Sequence, residues 1–129
     1  MNISHIDHLV LTVRDIEATL QFYESVLGME RETFGAGRVA LKFGNQKLNL
    51  HRHGHEFEPK AKQPVPGSQD LCFITETDPA IFMAHVQSMG VEIIAGPVPR
   101  TGACGPIVSI YFRDPDGNLI EVARYENDT

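Results

Sequence analysis

The stretch Arg113-Asp-Pro-Asp-Gly-Asn-Leu-Ile-Glu-Val122 decides how the rest of the chain is read. Asp114-Pro115-Asp116-Gly117 is a turn: proline pre-sets φ, aspartate side chains bond back to local backbone, and glycine supplies a positive φ. After it, Leu119 to Ala123 reads as a strand, with one carboxylate, Glu121, inside the apolar run. Burying that carboxylate is costly without a cation or hydrogen-bond donors. An edge-strand glutamate looking into water and a carboxylate serving a site are the two readings.

Working outward, the chain repeats itself. His5 to Val13 alternates as a strand does, with Asp7, Leu9, Leu11 and Val13 on one face and Ile6, His8, Val10 and Thr12 on the other. A helix follows, with Asp15 as N-cap, Ile16, Leu20, Tyr23 and Leu27 at helical spacing, and Gly28 stopping it. Strands are expected over Met29–Phe34, Arg38–Phe43 and Lys47–His51. The order then recurs: a strand over Asp70–Thr75, and a helix opened by Asp78-Pro79, striped by Phe82, Val86 and Met89 and ended by Gly90. Closing strands are expected over Val91–Ile94, Ile107–Phe112 and Leu119–Ala123. Gly28 to Gly90 is 62 positions, and so is His8 to Asp70. A period this long excludes a solenoid and indicates two βαβββ modules. The fold class is α+β, two tandem βαβββ modules forming a curved mixed sheet around a shared cleft. Module one spans about 1–54, a polar linker about 55–67 and module two about 68–129, all in one domain. Gly96 to Pro106 reads as an inserted loop, too rich in glycine and proline for a hairpin turn and of a kind often used as a lid.

Composition narrows the function classes. A chain of 129 residues suffices for a real core, burying roughly 65–70% of its unfolded surface. The net charge of −6 and pI near 5.4 argue against a nucleic-acid surface. No apolar run approaches the ~18 residues of a membrane span, and the strand pattern starting at Ile3 leaves no room for a signal peptide. Cys72 and Cys104 lack metal-finger spacing and are expected as reduced thiols of a cytoplasmic protein.

If the modules are equivalent, the inward residues of matching strands converge. These are His8 and Asp70 in the first strands, and Asn49 and Glu121 in the last, with His51 beside Asn49 on the same face. Leu48 and Leu50 belong under the helix. One histidine, two carboxylates and a second histidine suit an octahedral N/O site for Mn, Fe(II), Ni, Zn or Co; a polar cleft without metal is the alternative. His53 and His55 are expected to be solvated, since Gly54 and the polar linker end their strand, and His5 and His85 have no case. Cys72 shares the face of Asp70, where a buried inert thiol is the commoner outcome and a reactive thiol in contact with substrate the rarer one.

The segments HIDHLVLTVRDIEATLQFYESVLGM at the start and YFRDPDGNLIEV at the end resemble the vicinal-oxygen-chelate superfamily. That superfamily holds glyoxalase I, extradiol dioxygenases, fosfomycin-resistance enzymes and bleomycin-binding proteins. KLNLHRHGHEFEPKAKQPVPGSQDLCFITE and GPVPRTGACGPIVSIYFRDPDGNLIEV further resemble the lineage called glyoxalase domain-containing protein 5 in animals. The resemblance implies paired modules around one divalent metal that acts as a Lewis acid while a carboxylate moves a proton. His8 matches the family's first-strand ligand and Glu121 its last-strand ligand. Asp70 stands where many members have histidine, and Asn49 where glyoxalase I has a glutamate that is both ligand and base. The expected function is therefore a metal-dependent lyase or isomerase acting on a small oxygenated substrate. His8 and Glu121 would be its ligands, Asp70 and His51 third ligand or base, and Arg100 and Asn49 substrate contacts. A non-catalytic binding protein is the second reading, and an extradiol-type dioxygenase the third. A homodimer is expected, since symmetric dimers are the commonest oligomers.

Overall fold

In the computed structural model, residues 1–126 are described. They form two compact units, residues 1–67 and 68–126. The first contains β1 (His8–Val13), α1 (Ile16–Leu27), β2 (Glu30–Phe34), β3 (Arg38–Phe43) and β4 (Gln46–Arg52). The second contains β5 (Asp70–Ile74), α2 (Pro79–Ser88), β6 (Ala95–Gly102), β7 (Gly105–Arg113) and β8 (Leu119–Tyr125). The two sheets have matching orders, β1-β4-β3-β2 and β5-β8-β7-β6. In each, the first strand runs parallel to the last after a helical crossover, and the remaining pairs are antiparallel hairpins. No helix among the described residues is long and apolar enough to cross a membrane.

The helices begin and end for local reasons. Asp15 accepts from the Ala18 N–H at 2.9 Å, and Gly28 closes α1 with φ +68°. Asp78 accepts from the Ala80 N–H at 2.9 Å, with Pro79 just inside α2. In module one, alternation drives Leu11, Val13, Leu48, Leu50 and Leu41 into a core with Leu20, Tyr23 and Val26 of α1. Each such side chain stabilises the fold by about 1.5–3 kcal/mol. In module two, Ile110, Phe112, Ile120 and Val122 are buried, as are Phe82 and Val86 of α2.

Several boundaries and faces differ from expectation. His5, Ile6 and Asp7 precede β1 rather than belonging to it. The buried side of α1 is Thr19, Leu20, Tyr23 and Val26, leaving Ile16 and Leu27 half-buried. Met89 is 46% exposed and caps α2 instead of packing beneath it. Val91–Ile94 is not a strand.

The largest correction concerns Gly96–Pro106, expected as a loop or lid, which instead supplies most of β6 and its tight hairpin into β7. Pro97 and Pro99 are tolerated because β6 is an edge strand, where a missing N–H need not interrupt a ladder. A bulge between Ala95 and Val98 absorbs the irregularity. Gly96 is required there: its φ is +108°, and a Cβ would collide with the Ser109 carbonyl oxygen.

Candidate functional site

Each sheet has one face under its helix and one face free of it, and the candidate residues fall on the second. In module one the register aligns Val10 with Asn49 and Ala40, and Thr12 with His51. His8, Lys47, Asn49, His51, Arg38 and Phe34 therefore share a face by strand alternation. In module two, Cys72, Glu121 and Tyr111 stand in one cross-strand row, flanked by Ser109 on β7.

The Asp114–Asn118 turn aims β8. Asp114 Oδ1 accepts from the backbone N–H groups of Asp116 (3.0 Å) and Asn118 (2.9 Å), and Oδ2 from Asn118 Nδ2 at 2.8 Å. Asn118 Oδ1 accepts from the Gln69 N–H at 2.8 Å, and the Leu119 N–H donates to the Gln69 carbonyl at 3.0 Å. These bonds tie the starts of β5 and β8 together, so Cys72 and Glu121 fall in register.

Glu121 is half-buried in its strand, and Oε2 accepts from the buried Ser109 hydroxyl at 2.5 Å. The short distance marks a charge-assisted bond. Cys72 keeps exposed surface, but burial of its sulfur, reinforced by the Glu121 charge, pushes the thiol up to about 11. The thiol is thus protonated and faces the carboxylate as a donor. Burial also raises the Tyr111 phenol; the bond from Arg100 opposes this and the Glu121 charge adds to it. Arg100 sits on strand β6 rather than in a loop, and its Nε donates to the Tyr111 hydroxyl at 3.0 Å. Asp70 is exposed at the start of β5, next to Leu119 in the register. Cys104 and Cys72 are both free thiols.

In module one, His8 is half-exposed and its Nδ1 lies 2.8 Å from Asp7 Oδ1, which leaves Nε2 available. Asn49 is 6% exposed and its Oδ1 has no hydrogen-bond partner among the described residues. His51, 3% exposed, places Nε2 3.3 Å from Arg38 Nη2. Burial, and then the Arg38 charge, hold its pKa below the ordinary histidine value. The neutral imidazole can therefore accept from Arg38 through Nε2. His53 and His55 are exposed, as their sequence context indicated.

Sequence reasoning missed Ser109, Tyr111, Arg38, Phe34 and Phe57. Ser109 and Tyr111 could have been found as the only polar groups on one face of Ile107–Phe112. Phe57 carried no such signal. It lies in the stretch expected to be linker, and its ring packs 5.5 Å from His51, edge to face, with the Arg38 guanidinium 4.6 Å from its centroid.

Whether these residues suit a divalent ion turns on donor chemistry. Imidazole nitrogen and carboxylate oxygen are the right types, and a histidine whose other nitrogen meets a carboxylate is the usual arrangement of a ligand. Among the described residues, no three His, Cys, Asp or Glu side chains gather around one point. The fit is thus one of residue type alone.

Comparison with known proteins places this geometry in context. The family described as the Glyoxalase/Bleomycin resistance protein/Dioxygenase superfamily matches residues 5–122. A structure from the mobile metagenome of V. Pseudocholerae is 63% identical, covers 98% of each chain and superposes with a TM-score of 0.97. Virulence protein STM3117 of Salmonella typhimurium is 58% identical over 97% of this chain and 87% of its own length, and its crystal structure superposes with a TM-score of 0.95. Glyoxalase domain-containing protein RDO1 of Mycosarcoma maydis is 53% identical over 98% of this chain and 72% of its own. More distantly, an ethylmalonyl-CoA/methylmalonyl-CoA epimerase of Cereibacter sphaeroides is 25% identical over 93% of this chain and 97% of its own. TnmS3, an antibiotic binding protein from a Streptomyces species, is 26% identical over 96% of this chain and 98% of its own, with a TM-score of 0.74.

Proposed function

Because the chain belongs to the Glyoxalase/Bleomycin resistance protein/Dioxygenase superfamily, we propose that it is a metal-dependent lyase or isomerase of glyoxalase type acting on a small oxygenated substrate. The observation that carries this reading is the Glu121 carboxylate, set into an apolar strand and fixed by the Ser109 hydroxyl at 2.5 Å. A fold alone does not select a reaction, so the reading rests on that site.

His8 and Glu121 would hold the ion, which when bound would act as a Lewis acid on a substrate oxygen. Ser109 orients Glu121, and the Cys72 thiol and Tyr111 phenol stay protonated beside it, so neither competes as an anion. Asn49 is an amide and cannot move a proton as the glutamate of glyoxalase I does. Asp70, exposed on the same face as Glu121, is the proposed proton carrier. His51 is less suited, because its Nε2 faces a guanidinium. The epimerase relative is an enzyme aligned along most of this chain's length. A homodimer taking a small-molecule substrate is the proposed assembly.

The test is calorimetric titration of metal-stripped protein with Ni, Zn, Mn, Co and ferrous ions. One ion should bind with micromolar affinity or better, and His8→Ala and Glu121→Gln should each weaken it. Absence of uptake by the native protein would sink the reading.

A second reading, sequestration of a small molecule without chemistry, is favoured by the neutral Asn49 and by the similarity to TnmS3. Ligand binding that survives the combined substitution of His8 and Glu121 to alanine would select it.

A further inference from the structure

We propose that the helix-free face of module one carries an oxyanion receptor built on Arg38 and Lys47, for a small molecule bearing a carboxylate or phosphoryl group. The site lies within residues 34–57 and stands whether or not the chain is a metal-dependent lyase.

Arg38 is half-buried, and a cation so placed needs a partner. Among the described residues it has no carboxylate within ion-pair distance: its partners are the His51 imidazole at 3.3 Å and the rings of Phe34 and Phe57 at 5.5 and 4.6 Å. The module does not lack carboxylates. Arg31, on the opposite face of the sheet, is clamped by Glu17 at 3.0 Å and Glu24 at 2.6 Å. Glu56, near His51, is engaged by the Gly54 N–H at 2.6 Å and by Lys60 at 3.6 Å. Arg38 is thus oriented by aromatic surface and an imidazole acceptor, with the rest of its N–H fork unbonded. A guanidinium in that state matches the planar, two-point geometry of a carboxylate or phosphate.

Lys47 supplies a second, independent observation. Its ammonium lies 3.8 Å from the centroid of the same Phe34 ring. It too is half-buried and has no carboxylate within ion-pair distance among the described residues. Asp7, which feels the Lys47 charge, is itself bonded to His8. Two cations on one aromatic ring repel each other, and an anion shared between them offsets that repulsion. The phenyl surface strengthens the attraction by displacing water.

The receptor is tested with acetate and methylphosphonate as separate probes, in low-salt buffer free of phosphate, by calorimetry and amide NMR shifts. At least one probe should bind one per chain at millimolar concentration and shift amides of β3 and β4. Binding of acetate alone identifies a carboxylate ligand, and binding of methylphosphonate alone a phosphoryl ligand. Arg38→Gln should weaken binding about tenfold or more, as expected for losing a charge-assisted pair. Arg38→Lys, which keeps the charge but not the fork, should fall between, and Lys47→Gln should also weaken it. Arg52→Gln, an exposed arginine at the end of β4, should leave binding unchanged. The proposal fails if neither probe moves β3 or β4, or if folded Arg38 and Lys47 variants bind as the native protein does.

Discussion

Asn118 is a buried polar side chain whose removal should be costly. It is 1% exposed, accepts from the Gln69 N–H at 2.8 Å and donates to Asp114 Oδ2 at 2.8 Å. Asn118→Ala removes one neutral bond, worth ~0.5–1.5 kcal/mol, and one bond to a charged acceptor, worth ~1.5–3 kcal/mol. The expected loss is about 2–4.5 kcal/mol. For a chain of this length the unfolding entropy is about 0.27 kcal/mol/K, so the midpoint should fall by about 7–17 °C. Asn118→Asp keeps the acceptor for Gln69 but sets a second carboxylate against Asp114, a repulsion on the order of 4 kcal/mol at this range. It should be the less stable variant at neutral pH. Urea unfolding at pH 7, read by circular dichroism, measures both variants. The reasoning is refuted if alanine costs under about 1 kcal/mol, or if aspartate matches alanine at pH 7.

Gly96→Ala should destabilise by about 2 kcal/mol or more, since it combines a positive φ with a Cβ driven into a backbone oxygen, and urea midpoints report it. Cys72 should alkylate slowly at pH 8 and accelerate about tenfold per pH unit toward its titration near pH 11; Glu121→Gln should speed it, as mass spectrometry of iodoacetamide adducts would show. His51 binds its proton less tightly folded than unfolded, so its contribution to stability is present above the unfolded value and lost as pH falls from there through the folded one. Arg38→Met should raise the His51 titration toward the ordinary histidine value, measured by NMR of the imidazole carbon-bound proton. Asn49→Leu should cost less than about 1.5 kcal/mol, because it removes an unpartnered buried carbonyl; a larger loss in thermal melts would show that Asn49 has a partner in solution.

The two βαβββ modules were legible because each signal was local. Asp15, Gly28, Asp78 and Pro79 mark helix ends wherever they fall in the chain, and strand alternation assigned Leu48 and Leu50 to the core and Asn49 and His51 to the opposite face. The Asp114–Asn118 turn was legible for the same reason, since its bonds join residues at most four apart. β6 was not: Pro97 and Pro99 read as loop residues, and only the edge position of that strand makes them harmless.

What the residues alone determined is the type of chemistry on offer, a histidine on β1 and a carboxylate on β8, together with the repeat that sets their faces. Tertiary structure decided what surrounds them. Ser109 meets Glu121 only because β7 and β8 pair in one register, and Arg38 meets Phe34 and His51 only once β2, β3 and β4 pair, and Phe57 only once the chain after β4 folds back toward it. Periodicity reports which face a side chain takes. Who its neighbours are depends on long-range pairing, and a slip of one residue would have turned every one of these groups to the other side.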